Sequence, residues 1–253
     1  KNWEYAMTLT NKGDRVDKNT VKGCAFQTPM LEFPGACAGC GETQAVRILT
    51  QLFGTRLMVA NAMGCSRVWG GTFASNPYTI NARGQGPAWG SSLFEDNAEF
   101  GFGMMTSTLI KRRNLATRVQ RILKDDSIPK SKELCASLQT WLENPRDADK
   151  CEACYDNCVR LLADEKKNHK ELALLEEVID VMPKLTQWVI GGDGWAYDIG
   201  YGGVDHVLAQ GEDINILVLD TEMYANTGGQ QSKATQMSAV AKFAAGGKRQ
   251  MKK

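Results

Sequence analysis

Asp193 and Thr221, each at the end of an apolar run, and the three thiols Cys37, Cys40 and Cys65 are the residues whose types and spacing could do chemistry. Asp193 stands in Gly191-Gly192-Asp193-Gly194, directly after Gln187 to Ile190 (QWVI). Glycines let a backbone approach phosphate oxygens closely. A carboxylate supplies the hard oxygen needed by a magnesium ion that bridges diphosphate oxygens. Thr221 lies 28 residues further on, after the run Ile214 to Leu219 (INILVL), and can offer the same metal a second oxygen. Asp220 and Glu222 alternate with Thr221 in facing along a strand, so they are not read as ligands. The competing reading is a tight turn whose aspartate caps the next helix. GDG alone is a weak signal, and the second strand-end turn is what favours the metal.

Cys37 and Cys40 form a CxxC just before a helix that starts near Thr43, and Cys65 follows the strand-like run RLMVA. In a βα layer these segments are adjacent, so the three thiolates can converge. Thiolates suit zinc or an iron–sulfur cluster, and a lone CxxC is also a redox motif. A cubane cluster needs four ligands, and no local fourth is evident. Cys151, Cys154 and Cys158, spaced by three and four, share one face of a helix and read as buried small hydrophobes. With only His169 and His206, a site built on several histidines is disfavoured.

The elements that position these groups follow from the apolar pattern. Residues 1–34 are polar and read as a linker or arm. A helix carries Ala45, Val46, Ile48, Leu49, Leu52 and Phe53 on one face, and Arg56 to Ala60 reads as a buried strand. From Gly64 to Gly103 the chain reads as a long loop with Trp69, Tyr78 and Trp89 in it. About 97–185 is a helical insertion, followed by a strand at 187–190, a helix near 203–209 and a strand at 214–219. Strand, glycine turn, helix, strand is a βαβ unit, so the expected fold is α/β, a doubly wound parallel sheet with a helical insertion. The 30 Lys and Arg nearly balance the 29 Asp and Glu, which argues against nucleic-acid binding. No apolar run approaches the roughly 20 residues that span a bilayer, and the N-terminus lacks a signal-peptide core. A protein inside a cell or organelle, away from membranes, is expected.

Two long strings narrow this reading: GGDGWAYDIGYGGVDHVLAQGEDINILVLDTEMYANTGGQQSKAT and LEFPGACAGCGETQAVRILTQLFG. They resemble the C-terminal thiamine-diphosphate domain of the pyruvate:ferredoxin oxidoreductases over almost the whole chain, most weakly in the helical insertion. The resemblance implies a thiamine-diphosphate-binding domain at 35–253. Its magnesium would be held by Asp193, Thr221 and the main-chain carbonyl of Met223. Gly192, Gly194, Trp195, Glu42, Cys65 and Asn226 would contact the cofactor, with Asn226 also near the substrate. Cys37, Cys40 and Cys65 match three ligands of a [4Fe–4S] cluster. The family's fourth cysteine lies further toward the C-terminus than residue 253, so the domain is expected to be incomplete there.

The implied activity is oxidative decarboxylation of pyruvate, with electrons passing singly to the cluster and then to ferredoxin or flavodoxin, and the acetyl group passing to coenzyme A. The implied partners are the enzyme's other domains, one of which supplies the glutamate that activates the cofactor, and a second copy in a homodimer. This chain alone is expected to be inactive. The cytoplasm is the expected compartment, a hydrogenosome-like organelle the alternative. Two rivals stay open: a non-oxidative thiamine-diphosphate carboligase or decarboxylase, and a non-catalytic domain holding structural zinc.

Overall fold

The architecture comes from a computed structural model, which describes residues 1–9, 12–71 and 76–249. The chain divides into two compact units, residues 1–102 with 186–253 and residues 103–185. The first begins with two short helices, α1 (Asn2–Met7) and α2 (Val21–Ala25), the latter capped by Thr20, whose side chain accepts the Gly23 N–H. Residues 1–34 are more than an arm. Met30 and Leu31 are buried, Leu31 in the same apolar cluster as Val46, Leu57 and Val59. The Met30 N–H donates to Thr50 Oγ1 at 3.0 Å, which ties this segment to the helix α3 (Glu42–Phe53). Sequence periodicity misses such a contribution because one or two buried residues make no period.

After α3 come the strand β1 (Leu57–Asn61), the short helix α4 (Cys65–Gly70) and the strand β2 (Ala88–Ser91). The stretch read as one long loop from Gly64 to Gly103 thus holds a helix and a strand in its described part. Helix α5 (Asn97–Lys124) then leads into the second unit. There α6 (Lys132–Glu143), α7 (Ala148–Glu165) and α8 (Lys170–Glu176) follow, N-capped by Ser131, Asp147 and the His169 ring. Leu115, Val119, Leu138, Leu162 and Leu172 fill the core of this unit, together with Cys151, Cys154 and Cys158 from one face of α7. The Arg112 guanidinium donates to the carbonyls of Val181, Met182 and Pro183 and lies 5.5 Å over the Trp141 ring, closing the unit's chain reversal.

Back in the first unit are β3 (Thr186–Gly192), a π-helical turn at Gly194–Ile199, α9 (Tyr201–Ala209), β4 (Ile214–Leu219) and the short antiparallel pair β5 (Met223–Tyr224) and β6 (Gln230–Gln231). The four main strands are all parallel, in the order β2-β1-β3-β4. The chain therefore winds outward from β1 to β2, returns past β1, and winds the other way through β3 to β4. This is a doubly wound α/β sheet whose direction reverses between β1 and β3. Leu57, Val59, Ala60, Val189 and Ile190 are buried, as expected of central parallel strands covered on both faces.

The first turns of α5 lie close against these strands. A Cβ added at Gly101 would stand 2.4 Å from Val189 Cγ2 and 3.0 Å from the Ala60 Cβ, whereas one added at Gly103 meets nothing within 4 Å. Helix propensity alone favours alanine over glycine by about 1 kcal/mol. Gly103→Ala should therefore stabilise the protein by up to about 1 kcal/mol, while Gly101→Ala should destabilise it by about 1–3 kcal/mol through overpacking. Paired urea denaturations check the opposite signs.

Candidate functional site

Ligands of open α/β sheets bind outside the carboxyl ends of the strands, where the winding reverses. Here the reversal lies between β1 and β3, and the segments leaving both strands line a cavity of about 410 Å³. Gly64 and Cys65 come from the β1 end, Gly192, Asp193, Gly194 and Trp195 from the β3 end, and Thr221, Met223 and Asn226 from beyond β4. A second cavity of about 650 Å³ is lined by Cys37, Cys40 and Cys65. The two share Glu42, Cys65, Val68, Thr221, Ala225 and Asn226 as a common wall. Every residue that the sequence nominates therefore lines one cavity or both.

Asp193 is fully buried. Its Oδ1 accepts from the Thr221 N–H and faces Thr221 Oγ1, each at 3.2 Å, and Thr221 Oγ1 is 3.1 Å from the Met223 carbonyl oxygen. The threonine hydroxyl has one proton and two acceptors, so one of these oxygen pairs always meets without a hydrogen between them. A divalent cation resolves the conflict. Octahedral magnesium with bonds of about 2.1 Å sets neighbouring ligands about 3 Å apart, close to the two spacings found here. The oxygen donors of Asp193, Thr221 and Met223 thus fit magnesium. Beside them, a Cβ added at Gly192 would meet only the Leu219 carbonyl oxygen, at 3.8 Å, which leaves the backbone open to an approaching group. Gly194 is different: a Cβ there would run into the Tyr224 ring at 2.4 Å.

The other carboxylate oxygen, Oδ2, accepts a 2.5 Å hydrogen bond from Ser232 Oγ, a residue absent from the sequence reading. The Ser232 turn is held in turn by the buried Lys248. Its Nζ donates to the carbonyls of Ser232, Lys233 and Thr235 at 2.9, 2.7 and 2.6 Å. Lys233 N–H also donates to the Asp198 carboxylate at 3.1 and 3.2 Å. Oδ2 is thus tied to Ser232 and Oδ1 to Thr221. Burial, a hydrogen bond with Asp198 and the charges of Asp198 and Asp193 together push the Tyr224 phenol well above its usual range.

Glu42 opens α3 and accepts a 2.9 Å hydrogen bond from Trp69 Nε1. Burial raises its carboxyl pKa, the Trp69 bond lowers it, and the Asp193 charge raises it, with a net upward shift. The Cys65 thiol is also pushed up, first by burial and then by Glu42, Cys40 and Cys37. Asn61 at the end of β1 places α4: its Nδ2 donates to Ser66 Oγ at 2.8 Å and to the Ala62 carbonyl at 3.0 Å, next to Cys65. Cys37 is exposed, and Cys40 and Cys65 are half-buried. Among the described residues, no three His, Cys, Asp or Glu side chains gather on one point where a single ion would sit. The three thiols all line the second cavity. In the other unit, Cys151, Cys154 and Cys158 are packed into the core, and burial followed by the Cys154 charge pushes the Cys158 thiol up to about 12.

The raised Glu42 pKa has a consequence for stability. A carboxyl whose folded pKa lies above its unfolded value stabilises the fold at low pH, and that contribution is lost as pH rises through the folded pKa. The contribution of Glu42 to the stability of the cofactor-free protein should therefore fall as pH climbs upward from the ordinary carboxyl range. Glu42→Gln keeps an acceptor for Trp69 and should flatten this slope. Thermal unfolding midpoints of the two proteins between acidic and neutral pH give the comparison, and equal slopes would contradict it.

No family model matches the chain. Curated proteins match it along its whole length. It is 52% identical over 251 residues to the pyruvate-flavodoxin oxidoreductase of Klebsiella pneumoniae, covering 99% of this chain and 21% of that protein. It is 51% identical over 257 residues to the pyruvate:ferredoxin oxidoreductase of Moorella thermoacetica, covering 100% of the chain and 22% of the relative. It is 51% identical over 252 residues to the mitochondrial pyruvate dehydrogenase [NADP(+)] of Euglena gracilis, covering 100% of the chain and 14% of that protein. The chain thus spans between about a seventh and a fifth of the length of these relatives. With about half of its residues identical from end to end, the chain is similar to one segment of the pyruvate:ferredoxin and pyruvate:flavodoxin oxidoreductases.

Proposed function

We propose that this chain is the thiamine-diphosphate segment of an enzyme that decarboxylates pyruvate oxidatively, transfers electrons to ferredoxin or flavodoxin, and forms acetyl-coenzyme A. One observation carries the reading: the oxygens of Asp193, Thr221 and Met223 meet at a doubly wound switch point, and their cavity shares a wall with one lined by Cys37, Cys40 and Cys65. A non-oxidative thiamine enzyme has use for the first cavity and none for the second. The relatives named above carry different electron acceptors in their names, NADP(+), flavodoxin and ferredoxin, yet stay about equally similar to this segment. That supports assigning the segment the chemistry common to all of them, upstream of the acceptor.

In this reading Asp193, Thr221 and the Met223 carbonyl hold magnesium, Gly192 leaves room for the diphosphate, and Gly194 lines the cofactor cavity beside it. When bound, thiamine diphosphate supplies a nucleophilic carbon and an electron sink for decarboxylation. Glu42, with its raised pKa, meets the cofactor from the β1 side, Trp195 closes the base of the cavity, and Asn226 faces the substrate. Cys65 stands in the wall between the cofactor and the cluster, where it touches both. Cys37 and Cys40 are the cluster's other ligands from this chain, and a cysteine outside it completes a [4Fe–4S] cluster. Further domains of the same enzyme supply the remaining catalytic groups, and the enzyme works as a homodimer in the cytoplasm. Among the described residues no helix is long and apolar enough to cross a membrane.

The test uses the longer protein that carries this segment, purified without oxygen. Expected are iron with broad visible absorbance and magnesium-dependent binding of thiamine diphosphate; zinc alone with no thiamine diphosphate binding would overturn the reading. Two variants probe the oxygen site. Ser232→Ala frees Asp193 Oδ2 and should weaken magnesium about 10- to 100-fold, the usual effect of losing an outer hydrogen bond to a ligand. Asp193→Asn should weaken it more, and neither should change the iron content. Magnesium titrations of cofactor binding give both values.

A further inference from the structure

Among the described residues that line the 410 Å³ cavity, three are acids, Glu42, Glu95 and Asp193, and one is basic, Arg67. Arg67 sits on α4, two residues beyond Cys65, and lines this cavity but not the neighbouring one beside the cysteines. Its Nε is buried and has no hydrogen-bond partner. A guanidinium stays charged at any physiological pH, and a buried donor on it left unpaired costs more than a neutral one. Glu42 lines the same cavity, but the bond recorded for its carboxylate goes to Trp69. An arginine that lines a cavity otherwise rich in acids, and whose buried Nε has no partner, is matched to an anion that enters with the ligand.

The charge balance of the cavity points the same way. A divalent cation held by one carboxylate offsets only part of the charge of a diphosphate, and Glu42 and Glu95 add charge of the wrong sign. A planar guanidinium suits phosphate and carboxylate oxygens equally, because it can offer both two parallel donors. We infer that Arg67 binds an anionic oxygen group of the molecule that fills this cavity, either a phosphate oxygen of the cofactor or the carboxylate of the 2-oxo acid. This rests on the function proposed above for the nature of the occupant, and on the orphaned Nε and the cavity lining for the role of the residue.

The experiment compares Arg67→Met, Arg67→Lys and the parent in the full-length protein, with circular dichroism and iron content as controls for folding. The readouts are affinities for thiamine diphosphate, unphosphorylated thiamine and inorganic pyrophosphate, all with magnesium, and the KM for pyruvate. If Arg67 meets the diphosphate, Arg67→Met weakens thiamine diphosphate and pyrophosphate about 10- to 100-fold, leaves thiamine unchanged, and Arg67→Lys restores part of the loss. If it meets the substrate, cofactor affinity holds and the KM rises by a similar factor. Changes under about twofold in every readout overturn the inference. A parent protein that binds pyrophosphate but not thiamine diphosphate sinks the proposed function instead. In that case an arginine-dependent loss of pyrophosphate still supports the contact, and no loss overturns it.

Discussion

A carboxylate with no exposure to water organises this protein. Burying an ionised carboxylate is costly unless opposite charge and hydrogen bonds compensate it. Asp193 has the hydrogen bonds, from the Thr221 main chain and from Ser232, and it borders the cavity at the strand ends. Much of the surrounding chain serves to keep those donors in place. Lys248 uses its ammonium to gather three carbonyls of the Ser232 turn, and Asp198 fixes the same turn from the π-helical side. The result is a carboxylate with each oxygen held by a hydrogen-bond donor.

The sheet explains how such distant segments meet. Because winding reverses between β1 and β3, the connections leaving these strands diverge to opposite faces and leave a crevice above their ends. Residues from the β1 side bring soft sulfur and the Glu42 carboxyl, and residues from the β3 and β4 side bring hard oxygen. Two chemically different sites thereby lie side by side. Asn61 on β1 helps to fix their separation, through its bonds to Ser66 and to the Ala62 carbonyl.

The oxygen cluster of Asp193 and Thr221 was legible in the sequence because both residues lie just beyond the ends of apolar runs. The distance of 28 residues between them is one βαβ repeat. Ser232 and Lys248 follow no rule of that kind. They lie in irregular chain, and only the folded path brings them to Asp193. Strand β2 was hidden because Ala-Trp-Gly-Ser has neither alternation nor β-branched residues, and it forms through its pairing with β1. Leu31 was hidden because a single buried residue in a polar segment has no period. Arg67 was invisible for another reason: on a helix of six residues nothing in the sequence shows which way its side chain faces.

The wall shared by the two cavities has a thermodynamic consequence. Glu42, Cys65 and Thr221 each border both spaces, so a group that orders them from one side alters the free energy of filling the other. Coupling of this kind is reciprocal: whatever factor one occupant contributes to the affinity of its neighbour, the neighbour returns. Filling either cavity therefore changes the readiness of the other to be filled, and one common factor measures the change in both directions.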